Sequence, residues 1–514
     1  MIEKSVSWKL PLIRKVGCVL SSPENKAEII VVDLDGTLVF TDTLGESALQ
    51  LFRDDAIRAL HLPFWLLEGK ALFKQKLADA VELDPATLPY NEPLINWLKQ
   101  QKALNHKLVL CTATNISVAK RIAYYLELFD EVIASDNKNN LAGINKKAAL
   151  DEAYGEGQYI YAGNSDDDIQ VWNGASKGVV VNASPRVFKK AKAITKIHSH
   201  FPRLPITLQA WHRVFRFHQW LKNLLLFVPL LAAHRVNEVH SLTQLFLAFV
   251  SFSLCASAVY ITNDLLDLES DRRHPRKKYR PFACGSVPIS YGLLLAPVCA
   301  SASLAISAQV GTQFTAWLLI YFGLTFAYSV KLKKLVLIDC LTLAALYTLR
   351  IVAGAAAVSV PLSFWLLAFS IFIFLSLAFV KRYAELQVQS IEGKQTAPGR
   401  GYFVTDASFI QTLGITSGYG GVLVLALYLH DQTTSSHYHA PEFLWGAVPL
   451  MLFWISWVWL KAHRGLMTDD PLVFAVKDKA SWAVLLGIGM TFPQFRGHLV
   501  KPQPPSLRTR PGSD

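Results

Sequence analysis

The sequence predicts two unlike halves: an N-terminal α/β domain with a small helical cap, followed by an all-α polytopic membrane bundle of about nine transmembrane helices. Three observations carry this. Apolar residues make up 52% of the 514, and they are concentrated beyond about Leu221. In that second half the Lys and Arg residues gather in alternate loops. Near the N-terminus, a short β-branched run, EIIVV, ends in the acidic turn DLDGT at 33–37.

Taken in order, the opening MIEKSVSWKLPLIRKVG carries charges where a signal peptide would be apolar, so the N-terminal half is expected to stay in the cytosol. Residues 28–40 read as a buried strand ending at Asp33, with a second carboxylate at Asp35 and a Gly-Thr turn after it. Two carboxylates so placed can converge on one phosphoryl group. KLVLCTATN, 107–115, reads as a second strand; INKKAAL, 144–150, supplies a lysine on a helix; YIYAGNSDDDIQVW, 159–172, is a strand followed by an acidic loop.

In this order the strings resemble the haloacid dehalogenase (HAD) superfamily, a Rossmannoid fold. The resemblance implies Asp33 as the nucleophile, Asp35 as general acid and base, Thr112 and a lysine (Lys146 or Lys147, with Lys146 preferred) on the phosphoryl oxygens, and an Mg²⁺ site of Asp33, Asp35 and Asp168. A carboxylate attacks phosphorus once metal and lysine have neutralised its charge. The acid usual after the glycine is Asn164 here, with Asp166 and Asp167 beside it. Residues 44–105 are expected to form the cap, and 1–183 the whole domain.

Residues 184–215 mix prolines with Lys and Arg, then alternate Trp, Phe, His and basic residues in LQAWHRVFRFHQWLKN. This predicts a basic, interfacial linker at an anionic leaflet.

The membrane bundle is expected over 216–494. Apolar runs recur at 241–262, 287–310, 312–329, 335–358, 361–380, 409–430, 441–460 and 480–494, and a short first span at 221–234 makes nine. The net charge is +12, and the Lys and Arg of this half sit in alternate loops: RRHPRKKYR at 272–280, KLKK at 331–334, Lys381 and Arg382 with Lys394 and Arg400, and KAHR at 461–464 with Lys477 and Lys479. That is a positive-inside pattern, not a nucleic-acid stripe, and it predicts a multi-pass protein of the inner (cytoplasmic) membrane with a cytoplasmic N-terminal domain. Residues 495–514 are expected to be a flexible tail. The six cysteines, at 18, 111, 255, 284, 299 and 340, have no metal-binding spacing and suit a reducing compartment.

The stretch NDLLDLESDRRHPRKKYRP, 263–281, follows an apolar run long enough to cross a bilayer. On a helix, Asn263, Asp264, Asp267 and Asp271 share one face. Oxygen ligands so crowded favour Mg²⁺, and a diphosphate bridging that metal to Lys and Arg would use the basic residues that follow. With its many spans, NDxxDxxxD resembles the UbiA superfamily of intramembrane prenyltransferases. HPRKKYRP and YSVKLKKLVLID, 328–339, resemble strings of the branch that includes decaprenyl-phosphate phosphoribosyltransferase, and RFHQWLKNLLLFVPL resembles its opening span.

The resemblance implies metal binding by Asn263, Asp264, Asp267, Asp271 and Asp339, with Asp264 and Asp267 catalytic. It also implies substrate binding by Lys222, Asn223, Lys277, Arg280, Tyr328 and Lys333. Many prenyltransferases carry a second acid four residues after the one at Asp339; here it is Leu343.

The expected function is Mg²⁺-dependent transfer of 5-phosphoribose from phosphoribosyl diphosphate to a polyprenyl phosphate, with the fused phosphatase-like domain acting on the product. The alternative is transfer of a prenyl group from a prenyl diphosphate to an aromatic or other acceptor. A transporter or scaffold is disfavoured by complete motifs in both halves. Expected partners are a lipid phosphate or diphosphate, a phosphorylated sugar donor and the bilayer, without nucleic acid.

Overall fold

The computed structural model describes residues 27–233, 235–395, 400–430, 441–467 and 470–491. The N-terminal leader and the expected tail lie outside the described residues. The chain divides between Pro205 and Ile206 into two compact units.

The first unit is built on a six-stranded sheet: β1 (Ile29–Val32), β2 (Lys107–Asn115), β3 (Glu131–Ser135), β4 (Tyr159–Gly163), β5 (Lys177–Val181) and β6 (Ile197–Phe201). All neighbours pair in parallel, in the order β3-β2-β1-β4-β5-β6. The near-continuous apolar runs of β1 and β4 suit strands covered on both faces. Ile30, Val32, Leu108 and Leu110 pack on one side, with Val31, Val109, Tyr161 and Trp172 on the other. Strand order reverses between β1 and β4, so the carboxyl end of β1 is the switch point where such sheets bind ligands.

Helices between β1 and β2, from Thr43 to Ala80, form a cap with its own small core of Leu51, Ala59, Leu77 and Val81. The cap is shorter than expected, because the helix Glu92–Ala103 buries Leu94, Ile95 and Leu98 against the sheet. The expected linker is also shorter. Pro185–Ile194 is an amphipathic helix burying Val187 and Ala191, and Ile197–Phe201 is the edge strand β6. Its alternation IHSHF is that of a half-exposed strand.

The second unit is helical. Seven of its helices, not nine, are long and apolar enough to cross a membrane among the described residues. They are Val239–Leu266, Ile289–Val310, Thr312–Val330, Ile338–Ala357, Phe364–Ile391, Val404–His430 and Phe443–His463. The expected first span is instead a 3₁₀ stretch, Leu221–Phe227, and a short helix, Val228–Ala232, with Pro229 in its first turn. The expected last span is the 13-residue helix Lys479–Thr491. Neither reaches the length of about 20 residues that a bilayer core needs. Gly354 lets the 3₁₀ stretch approach: a Cβ there would meet the Leu226 carbonyl oxygen at 2.1 Å. This close seat holds Lys222 and Asn223 inside the bundle.

Candidate functional site

Asp33 directly follows β1, and its backbone N–H still donates to the Ala162 carbonyl of β4 (3.0 Å), which fixes its side chain at the switch point. Lys146, on the helix Ile144–Tyr154, donates from Nζ to Asp33 Oδ1 (2.8 Å) and Tyr161 Oη (2.9 Å) and lies 3.6 Å from Asp168 Oδ1. The structure thus decides between the two lysines, since Lys147 pairs with Asp151 and Glu156 instead. Tyr161 Oη donates to Asp168 Oδ1 (2.6 Å), and Asp168 Oδ2 accepts from Asn164 N, Ser165 N and Ser165 Oγ, each at 2.9 Å.

Burial pushes the Asp33 carboxyl up to about 7, with Asp168 adding to the rise and Lys146 opposing it. Burial also disfavours ionised Asp168, but Lys146, Tyr161 and the two backbone N–H groups outweigh it and hold that carboxyl below its ordinary value.

Asp35 faces a different set. Its Oδ1 accepts from Thr43 N (2.8 Å) and its Oδ2 from Thr114 Oγ1 (2.6 Å). Thr112 is fully buried and accepts from Thr114 N (3.0 Å). Asn164 stands against Gly36, whose turn has φ +72°, where a Cβ would meet Asn164 Nδ2 at 2.1 Å. Sequence reasoning missed Lys74. It reaches from the cap to the Ala113 carbonyl (2.5 Å) and Asn140 Oδ1 (2.7 Å), adding a second cation whose pKa burial lowers while Asp35 raises it.

In the second unit the acidic face survives a break in the helix. Asp267 caps Val239–Leu266, and a short helix, Leu268–Arg273, continues to Asp271. Arg280 Nη1 bridges Asp264 Oδ1 (3.0 Å) and Asp271 Oδ2 (2.6 Å), and Arg216 also pairs with Asp264. Lys277 Nζ lies 3.9 Å from Asp271. Lys333, from the second string, is part-buried, which lowers its pKa, while the Asp267 charge opposes that shift. Asn263 turns to Ser329 Oγ (2.9 Å), tying the first long helix to the third.

Four expected contributors, Asp339, Tyr328, Lys222 and Asn223, lie in other networks. Asp339 is fully buried; it is ion-paired with Arg382, accepts from Tyr402 Oη (2.5 Å) and Cys340 N (2.7 Å), and lies 3.7 Å from Arg400, which also donates to Tyr328 Oη (3.1 Å). Lys222 pairs with Asp470 (2.8 Å), beside Lys381 (3.7 Å) and Tyr347 (3.2 Å). Asn223 joins Ser253 (2.9 Å) to Arg350 (2.9 Å), and Arg350 continues to Tyr321 (2.9 Å). The polar residues missed here are Arg216, Arg350, Lys381, Arg382, Arg400 and Asp470. Arg350, alone in its part of an apolar run, was the readable signal.

Among the described residues no three His, Cys, Asp or Glu side chains stand together as a ready metal cluster, and cations separate the acids at both sites. The donor chemistry nevertheless fits Mg²⁺. Asp271 Oδ1 is buried without a hydrogen-bond partner, and burial raises that carboxyl even with Arg280 opposing. Such an oxygen is satisfied by a hard cation.

Comparison with known proteins covers both units. An uncharacterized protein of Sinorhizobium fredii is 33% identical over 458 residues, 88% of each chain, an overlap longer than either unit. Nodulation protein NoeC of Azorhizobium caulinodans is 36% identical across 54% of this chain and 89% of its own. Decaprenyl-phosphate phosphoribosyltransferase of Mycobacterium tuberculosis is 30% identical across 54% of this chain and 94% of its own. Among solved structures, a UbiA homolog from Archaeoglobus fulgidus bound to GPP and Mg²⁺ aligns with TM-score 0.42 at 15% identity, covering 55% of this chain and 99% of that one. A HAD family hydrolase from Salmonella enterica aligns with TM-score 0.27 at 19% identity, covering 35% and 67%. The family assignment rests on the sequence relatives, together with the UbiA prenyltransferase family model that matches residues 224–475. This multi-pass membrane chain belongs to the UbiA prenyltransferase family, with an α/β unit built on a parallel six-stranded sheet joined ahead of it.

Proposed function

We propose that the second unit transfers 5-phosphoribose from phosphoribosyl diphosphate to a polyprenyl phosphate, and that the first unit hydrolyses the phosphate monoester left on the product. The observation that supports the transfer most is the convergence of Asp264 and Asp271 on Arg280, in a chain that runs along nearly the whole of a phosphoribosyltransferase relative. Asp264, Asp267 and Asp271 would hold Mg²⁺, and the chemistry it would supply there is charge neutralisation of a departing diphosphate. Arg216 and Arg280, which pair with those acids without donor, bind its phosphate oxygens together with Lys277 and Lys333. A lipid phosphate oxygen bonds to the anomeric carbon as the bond to diphosphate breaks, the electron pair leaving with diphosphate. A phosphate monoester is already ionised, so no protein base is required. Lys222, Lys381 and Arg350, three cations among few acids, favour an anionic acceptor inside the bundle.

In the first unit, Asp33 attacks phosphorus and Lys146 holds it in line, while Asp35 gives a proton to the departing alkoxide and takes one from the hydrolytic water. The same membrane machinery would serve a prenyl diphosphate donor, which is the alternative. In this reading both sites lie on the cytoplasmic side, which the basic loops favour; the successive short helical pieces from Phe217 to Ala232 then together supply the additional crossing ahead of Val239 that this needs. The test is lipid extracts of reactions run with each donor and Mg²⁺. An Asp33→Asn variant should accumulate the 5-phosphorylated lipid with total transfer unchanged; identical products from wild type and variant would separate the two units.

A further inference from the structure

The cap of the first unit has two apolar sides, and only one is used for packing. Leu51, Ala59, Leu77 and Val81, with Leu62, Trp65 and Phe73, close its inner core. On the outside, over Ala56–Leu67, Ile57 is 77% exposed, Leu60 69%, Phe64 65% and Leu67 85%. Their spacing of three, four and three residues puts the four on a single helical face. Phe52 adds a further exposed ring nearby. A soluble domain rarely leaves so many large apolar side chains together in water.

We propose that this face is an interfacial membrane anchor, inserting into the bilayer that the second unit spans and so presenting the Asp33 site to phosphate esters carried on lipids. The occupant follows from the chain itself. The first unit ends in β6 and the helix Leu208–Phe215 begins the membrane unit, with only 202–207 between them, so the first unit is tethered close to a lipid surface that its cap can reach. Charge does not drive the contact. Around the face Arg53 pairs with Asp54 and Lys76 with Glu68, while Arg58 lies over the Trp65 ring at 5.9 Å. Across 52–70 the cations Arg53, Arg58 and Lys70 are matched in number by Asp54, Asp55 and Glu68, so insertion depends on apolar area and needs no anionic lipid. Insertion is a property of the fold; its consequence for substrate choice rests on the phosphatase reading above.

The test uses the full chain in phosphatidylcholine nanodiscs, with Cys18 and Cys284 replaced by serine and one nitroxide label at Leu60→Cys, Leu67→Cys or, as control, exposed Lys99→Cys. Labels at 60 and 67 should meet oxygen several-fold more often than a water-soluble nickel chelate, and the label at 99 the reverse. Equal nickel access at all three positions overturns the proposal, as does shielding of 60 and 67 from both quenchers, which would mean that protein covers the face. In a Leu60→Glu, Leu67→Glu variant, hydrolysis of a lipid-borne phosphate ester should fall about tenfold. Hydrolysis of p-nitrophenyl phosphate should not change. Loss on both esters, or on neither, contradicts the proposal. A wild type that hydrolyses neither ester sinks the phosphatase reading alone, while the labels still decide insertion.

Discussion

Asp339 is where the expected metal role and the observed structure part most sharply, and replacing it separates them. The carboxylate and its partner Arg382 both have no solvent exposure, and Tyr402, Cys340 N and Arg400 complete the shell. An Asp339→Asn change keeps the size but leaves the Arg382 guanidinium, itself fully buried, with only the part-exposed Glu385 as counter-charge. Breaking a buried pair from one side costs about 3–5 kcal/mol. For a unit of this size, each kcal/mol shifts the melting temperature by roughly 2–4 °C, so a fall of about 10 °C is expected. The assay is tryptophan fluorescence of the purified protein on heating, with monodispersity followed in parallel. Removing both charges, with Asp339→Leu and Arg382→Met together, should recover most of the loss, because apolar replacements of a buried pair are often neutral. The reasoning is refuted if Asp339→Asn melts like wild type while the Mg²⁺ concentration needed for transfer rises, since that is how a metal ligand behaves.

Asp264→Asn and Asp267→Asn should each lower transfer by about two orders of magnitude or more in folded protein, read as labelled lipid per mole of enzyme, because a lost ligand removes several kcal/mol of charge stabilisation. Lys146→Met should abolish phosphate release by the first unit and leave transfer intact; transfer and release falling together would argue against two separate sites. Single cysteines at Ser270 and Ser359 should react from opposite sides of sealed vesicles, the first from the cytoplasmic side only. Burial raises the Cys111 thiol to about 12, so at pH 8 it should resist alkylation in the folded protein while exposed Cys284 reacts; equal labelling by peptide mass spectrometry would contradict the buried β2.

The parts legible in the sequence were those where chemistry and chain geometry coincide. Asp33 at the end of a β-branched strand and the face carrying Asp264, Asp267 and Asp271 are local patterns, and the fold keeps both. Lys146 and Lys147 are adjacent and alike; only the helix's direction onto the sheet buries the first between Asp33 and Asp168. The 184–205 stretch was misread because its prolines and lysines match a linker. Pro185 in fact opens a helix at its N-terminal turn, and the lysines line its wet side. The span expected at 221–234 is not one long helix, because its apolar composition conceals a 3₁₀ stretch held against Gly354. The buried networks of Asp339 with Arg382, and of Lys222 with Asp470, join residues far apart in the chain, and no local spacing announces them.

The most direct measurement of the central claim uses purified protein in nanodiscs with Mg²⁺ and polyprenyl phosphate, supplied in parallel with ribose-labelled phosphoribosyl diphosphate or labelled prenyl diphosphate. The account predicts label in the lipid extract from the sugar donor, dependent on Mg²⁺ and lost in Asp264→Asn. Label transferred only from the prenyl diphosphate, or sugar transfer that survives Asp264→Asn, contradicts it.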